Sequence, residues 1–185
     1  MRTAGSDPSR SATSSPWSRR LKKPDVPATA AVRVLRAAGV AFEPRFYAYV
    51  ERGGTRHSAE ALGVPEHEVV KTLVMEARRG GPSEPFLILM HGDREVSTKQ
   101  LARQIGAREV APASPAAVEK HTGYVPGGVS PFGTRKALPV HVERSILALP
   151  RVLVNGGRRG FLVALEPSAF TAVLSAIPVD VAIEP

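Results

Sequence analysis

Apolar residues fall into two rhythms along this chain, and the switches between them lay out the expected elements. After Thr29, a residue suited to capping a helix, Ala31, Val34, Leu35 and Ala38 recur at helical spacing. Gly39 can then close the helix in a left-handed conformation. Residues 42–50 carry Pro44, which lacks the N–H that a central strand needs, so they predict an edge strand. A short helix is expected over 58–62, ending at Gly63. Strands over 69–77 and 85–91 follow, with an Arg-Arg-Gly-Gly-Pro turn between them. Ser97 and Gln100 form a capping box ahead of a helix over 101–105, which Gly106 stops. Ser114-Pro115 opens a further helix, closed by Gly123. Strands are expected over 138–142, 151–155 and 161–165, the last two joined through Gly156-Gly157-Arg158-Arg159-Gly160. A helix over 167–176 and a strand over 179–183 end the series.

The count is about seven strands and five short helices, without strict strand–helix alternation and with two hairpins. That pattern predicts an α+β fold: a mixed, largely antiparallel sheet with peripheral helices rather than a doubly wound parallel sheet. The chain contains no internal repeat, and its 185 residues suit one domain. Because the apolar fraction is 43% but the aromatic fraction only 5%, the core must be built from Val, Leu, Ile and Ala.

Residues 1–27 fit neither rhythm. They are rich in Ser, Pro and Arg, cannot bury enough apolar surface to offset their ordering entropy, and predict a disordered tail before a domain at 28–185. The tail holds six basic residues against two acidic ones, half of the net charge of +8. A basic surface concentrates a polyanion such as RNA, although a solvated tail accounts for the same charge. No run of 18 apolar residues exists, so neither a transmembrane helix nor a membrane partner is expected. Cysteine is absent, which removes disulfides, thiolate–zinc sites and a protein thiol nucleophile, and fits a cytoplasmic location.

Candidate chemistry concentrates in three places. Residues 122–133 hold four glycines and two prolines, a composition that fixes an irregular backbone and lets a ligand approach it. Consecutive N–H groups there could hold an anion or a developing oxyanion; a long connection with tight turns has the same composition. Within it, Ser130 misses the nucleophile-elbow spacing and reads better as a hydroxyl bonded to the loop backbone. Lys71 interrupts an apolar strand and shares a face with Val69 and Leu73. It fits either a pocket lysine, whose desolvation a substrate would offset, or a solvated one on an edge. Arg158-Arg159 forms a basic hairpin tip, suited to phosphate or to water. The five histidines include no metal-ligand spacing, there is no phosphate loop, and no metal or cofactor is expected.

Three blocks taken together resemble the YbaK/EbsC family, relatives of the editing domain inserted in bacterial prolyl-tRNA synthetases. They are Val70-Lys71-Thr72-Leu73; Thr122-Gly123-Tyr124 with Gly127-Gly128-Val129-Ser130-Pro131-Phe132-Gly133; and Val154-Asn155-Gly156-Gly157-Arg158-Arg159-Gly160. The resemblance spans roughly residues 28–184 and implies a sheet curled into a barrel-like core. It also implies a trans-editing hydrolase that deacylates mischarged tRNA, most typically cysteine on tRNA(Pro), with the acceptor end as partner and prolyl-tRNA synthetase as a candidate one. Lys71 takes the family's main functional position, at the aminoacyl ester and terminal adenosine. Gly127 offers backbone contact to the reacting carbonyl. Tyr47 matches a pocket tyrosine, a position that Tyr49 could also fill. Asn155 matches a small polar position beside the pocket. Thr122, Gly123, Gly128, Ser130, Gly156 and Arg159 complete the implied substrate site.

One position departs from the pattern: Leu162 stands where some members carry an aspartate near the substrate. The same resemblance therefore leaves room for a deacylase of alanyl or other small aminoacyl esters. A non-catalytic module that holds tRNA ends or a nucleotide-like ligand is the reading from another class.

Overall fold

The computed structural model of the chain describes residues 25–185. The tail expected over 1–27 therefore lies almost wholly outside the described residues. Helix α1 (Ala30–Ala37) begins where the capping residue predicts. The Thr29 hydroxyl accepts the Val32 N–H at 3.1 Å, and Gly39 turns the chain out at φ +67°. The helix buries Ala31, Val32 and Leu35, while Ala38 stays exposed. The same hydroxyl donates to the Gly156 carbonyl at 2.6 Å, tying the helix start to a distant hairpin. Thr29→Ala should remove both bonds and lower stability by about 1–2 kcal/mol, read as a lower urea midpoint.

The remaining elements are β1 (Glu43–Phe46), α2 (Gly54–Leu62), β2 (Val69–Arg78), β3 (Glu84–His91), β4 (Glu95–Val96) and α3 (Thr98–Gln104). They continue as β5 (Glu109–Pro112), α4 (Pro115–Thr122), β6 (Val140–Glu143), β7 (Val152–Arg158), β8 (Phe161–Leu165), α5 (Ser168–Leu174), β9 (Ile177–Val179) and β10 (Ala182–Ile183). The main sheet runs β1-β8-β7-β2-β3-β6-β9, with β5 also on β2, and β4 pairs with β10 apart from it. Pairings β2–β7, β3–β6 and β6–β9 are parallel and the others antiparallel. The fold is thus the mixed, largely antiparallel α+β arrangement expected. Among the described residues the sheet is an open path, with β1 at one end and β9 at the other.

Several elements differ from expectation, three of them for a clear physical reason. The first strand ends at Phe46 rather than at 50, because its partner β8 begins at Phe161, opposite Phe46. Residues 47–50 then leave the sheet. The last strand divides into β9 and β10. Between them the Glu143 carboxylate accepts the N–H groups of Val181 and Ala182, at 2.8 and 2.9 Å. Finally, β5 has Val110 as its one buried residue and ends on a proline, so it leaves almost no alternating signal.

Strand β3 is buried on both faces. Leu87 and Leu89 join the large core beneath α1 and α5, while Phe86, Ile88 and Met90 pack with Leu101 of α3. A third, small cluster combines Val69, Leu153, Leu162 and Ala164 with Ala59 of α2. Burying each large side chain contributes about 1.5–3 kcal/mol. Strand β2 connects the three clusters, and it has a gap. On the edge away from β3, β7 pairs with it at Val69 and Val70, and β5 pairs from Met75 onward. The Val74 carbonyl is taken by Ala113 N–H at 3.0 Å. Lys71, Thr72 and Leu73 thus lie on an edge that no strand covers.

Candidate active site

The loop 125–129 faces this gap. Two cavities, of about 470 Å³ and about 450 Å³, adjoin the meeting point. Lys71, Thr72, Leu73, Pro126, Gly127 and Val129 line both. The first cavity is walled further by Tyr47, Tyr49, Thr55, His57, Ser58, Val69, Asn155, Arg159 and Leu162.

Lys71 is partly buried, between Val69 of the small cluster and Leu73 beside the cluster under α3. Its Nζ donates to the Arg94 carbonyl at 2.6 Å. Burial pulls its pKa below the ordinary lysine range; the nearby carboxylates of Glu66, Glu95 and Asp93 act in the opposite sense. An ammonium with spare protons therefore sits at the cavity wall in reduced solvent, where its interaction with a developing negative charge is stronger than in water.

Gly127 adopts φ +82°, and its carbonyl accepts from Asn155 Nδ2 at 3.2 Å. Among the described residues, its own N–H makes no hydrogen bond. Asn155 also accepts the N–H groups of Gly157 and Arg158, at 2.7 and 3.1 Å, where the β7–β8 register shifts. One amide thus joins the hairpin bend to the loop. Arg159 closes the same corner: its Nε donates to the Pro126 carbonyl at 2.9 Å, and its guanidinium lies 5.1 Å from the Tyr49 ring centre. The Tyr47 hydroxyl is raised above its ordinary pKa by burial and stays protonated at neutral pH.

Of the positions the sequence singles out, Lys71, Gly127, Tyr47, Asn155 and Arg159 are brought to one cavity. Thr122, Gly123, Gly128, Ser130 and Gly156 do not line it. The Thr122 hydroxyl donates to the Val118 carbonyl at 2.7 Å and accepts the Tyr124 N–H, while Gly123 ends α4 in the left-handed region. Ser130 is fully buried and accepts the Phe132 N–H, as the loop-bonded hydroxyl expected. Gly128 packs against the Arg158–Arg159 backbone, and a Cβ at Gly156 would lie 2.4 Å from the Phe161 ring. These five shape the walls.

Sequence reasoning missed the floor of the cavity. Thr72 carries a buried hydroxyl with no hydrogen-bond partner among the described residues. Its motif neighbour Lys71 drew the attention, and no pattern marks an edge left open by two partial partners. Thr55, His57 and Ser58 come from α2, whose start at Gly54 has no side-chain cap to announce it. Their polar atoms are engaged: Thr55 Oγ1 with Glu66 and Gly92, His57 Nε2 with the Ala48 carbonyl, Ser58 Oγ with the Thr55 carbonyl.

Behind Lys71, the rings of His67 and His91 stack with centres 3.7 Å apart. His67 Nδ1 bonds Asp93 at 2.9 Å, and both nitrogens of His91 are occupied, by the His67 carbonyl and Ser145 Oγ. The three could offer metal-ligand atoms within 4.8 Å, but His91 would have to give up a present bond. The cluster instead anchors the turn that carries the Arg94 carbonyl. Burial raises the Asp93 carboxyl, and the His67 hydrogen bond with the Arg94 charge outweighs it, so Asp93 stays ionised.

Comparison with known proteins gives the family and the fold. Residues 54–172 match a family model described as an aminoacyl-tRNA editing domain. A candidate Cys-tRNA(Pro)/Cys-tRNA(Cys) deacylase, EbsC of Enterococcus faecalis, is 29% identical over 153 residues, covering 82% of this chain and 92% of that protein. A proline–tRNA ligase of Stenotrophomonas maltophilia is 33% identical over 106 residues, 57% of this chain but 19% of the ligase. The crystal structure of a candidate trans-editing enzyme for prolyl-tRNA synthetase has the same fold. It superposes with a TM-score of 0.71 at 24% identity, over 85% of this chain and 99% of that one. No helix among the described residues is long and apolar enough to cross a membrane.

Proposed function

The chain belongs to the aminoacyl-tRNA editing domain family and is thereby an aminoacyl-tRNA hydrolase, and on that premise we propose that it removes a small amino acid attached in error, first among them cysteine on tRNA(Pro). The observation that carries this reading is the meeting of Lys71 and Gly127 at one cavity, beside an apolar wall of Val69 and Leu162. The acceptor end would enter this cavity, acting in the cytoplasm, with prolyl-tRNA synthetase a candidate source of the mischarged tRNA.

An aminoacyl ester is already activated, so the site must position it and stabilise negative charge on its carbonyl oxygen. One such donor contributes about 2.7–4 kcal/mol. Lys71 supplies the charge and the Gly127 N–H the backbone contact. The protein has no cysteine, the hydroxyls of Thr55 and Ser58 are bonded to other protein atoms, and that of Thr72 is buried from solvent. With a cysteinyl ester the substrate supplies the nucleophile. Its sulfur attacks its own carbonyl carbon, the bond to the ribose oxygen breaks, and that oxygen leaves with the thiol proton. The thiolactone released is then opened by water. Proximity makes the attack effective.

Leu162, 4% exposed, favours a second reading, a deacylase of several small aminoacyl esters. Its apolar side chain offers no charge to the amino-acid side chain or its α-amino group, and an apolar pocket separates residues differing by one small group only about 10–200-fold. A panel of Cys-tRNA(Pro), Ala-tRNA(Pro), Ala-tRNA(Ala) and Pro-tRNA(Pro) separates the readings. Rapid loss of cysteine alone supports the first. Comparable loss of alanine supports the second, and binding without accelerated ester loss rejects both.

A further inference from the structure

The mouth of the first cavity is built from three segments with no other shared role. Residues 46–50 run beside the β7–β8 tip, with Tyr47 N–H donating to the Gly160 carbonyl at 3.1 Å. The tip lies against Gly128, where a Cβ would be 3.2 Å from the Arg159 nitrogen. Tyr49 stands where they meet. It belongs to none of the three apolar clusters, yet it is held: the Arg159 guanidinium lies over its ring, and Arg159 is itself pinned to the Pro126 carbonyl. The residue is 36% exposed, and Val50 next to it in the chain and in the cavity wall is 50% exposed. Arg158 and Arg52, both exposed, add positive charge to this rim, and Glu51 beside Arg52 offsets part of it.

An exposed aromatic ring fixed beside a guanidinium plane, on a positively charged rim, is the arrangement that takes a stacked nucleobase and its phosphate. Its position sets which base. A Cβ on Gly127 would lie 3.0 Å from the Tyr49 hydroxyl, so the ring adjoins the proposed oxyanion contact. Tyr49, Arg159 and Lys71 line the same cavity, so a base stacked here and an ester held at Lys71 would share it. We propose that Tyr49 and Arg159 form the stacking platform for the terminal adenine of the acceptor end, and that they make the enzyme selective for esters of adenosine. This rests on the deacylase reading, and names the residues that recognise the nucleoside rather than the amino acid.

The test compares two esters of one amino acid, cysteine or alanine as the tRNA panel selects: the 3′-O-aminoacyl adenosine and the ethyl ester. In Tyr49→Ala the ratio of kcat/KM for the adenosine ester to that for the ethyl ester should fall about ten-fold, mainly through KM, the size of effect expected for one lost stacking contact. Tyr49→Phe, which keeps the ring, should retain the ratio. An unchanged ratio in Tyr49→Ala, or equal losses on both esters, would overturn the platform. A titration in parallel uses an uncharged RNA hairpin ending in single-stranded CCA and one ending in CCU. Wild type should favour CCA and Tyr49→Ala should not; equal affinity of wild type for both overturns the proposal. Wild type cleaving neither ester nor any mischarged tRNA would sink the deacylase reading instead, and the hairpins then decide the platform alone.

Discussion

Replacing Lys71 by alanine is expected to slow deacylation of the preferred mischarged tRNA by about 10²–10³-fold, the loss typical of removing one oxyanion donor. The effect should fall on kcat as well as KM, because the ammonium interacts most strongly with charge that develops in the transition state. Stability should change little: burial already disfavours the charged lysine, which offsets the lost hydrogen bond to Arg94. Lys71→Met keeps most of the side-chain volume and should be equally slow, assigning the loss to the charge. Single-turnover deacylation with a melting curve on each variant checks this, and wild-type rates in Lys71→Ala would remove the lysine from the mechanism. The pH dependence has a definite sign. Burial lowers the pKa, so as pH rises the proton leaves Lys71 before it would leave an ordinary lysine. The enzymatic rate, corrected for spontaneous ester hydrolysis, should therefore decline below the usual lysine range.

The elements were legible where one local signal decides them. Thr29, Ser97 and Ser114 each cap the helix that begins after them, and Gly63 and Gly123 end theirs with positive φ. Strand β8 spans the residues that its apolar run marks. What escaped depends on pairing. The early end of β1, the sheet switch at Glu143 and the gap along β2 are set by partners 31 to more than 100 residues away. The site was legible in the same uneven way. Composition marked the 122–133 loop without saying which glycine faces a ligand, and the resemblance supplied Lys71 and Gly127. Tyr49, which the resemblance left as an alternative to Tyr47, lines the cavity together with it, and the open hydroxyl of Thr72 became visible only once the strand edge was in place.

Gly127 allows the sharpest separation of catalysis from folding. Its φ of +82° costs an L-residue about 1–2 kcal/mol, and an alanine Cβ would meet Tyr49 Oη at 3.0 Å, Tyr49 Cε2 at 3.4 Å and Arg159 Nε at 3.5 Å. Those contacts are the ends of two side chains at the cavity mouth, so the fold can yield while the loop N–H moves. Gly127→Ala should therefore lose roughly 10²-fold or more in kcat and only about 1–2 kcal/mol in stability, because oxyanion donors act over tenths of an ångström. Gly81→Ala is the matched control: it lies in the β2–β3 turn, its added Cβ would meet no atom within 4 Å, and both quantities should stay unchanged. Gly156→Ala is the opposite case. Its Cβ would meet the Phe161 ring at 2.4 Å, inside the large core, so stability should fall first and activity with it. If Gly127→Ala instead behaved like Gly156→Ala, losing activity only in proportion to folded protein, the loop would be scaffold and the oxyanion contact would have to come from another N–H facing the gap at Lys71–Leu73.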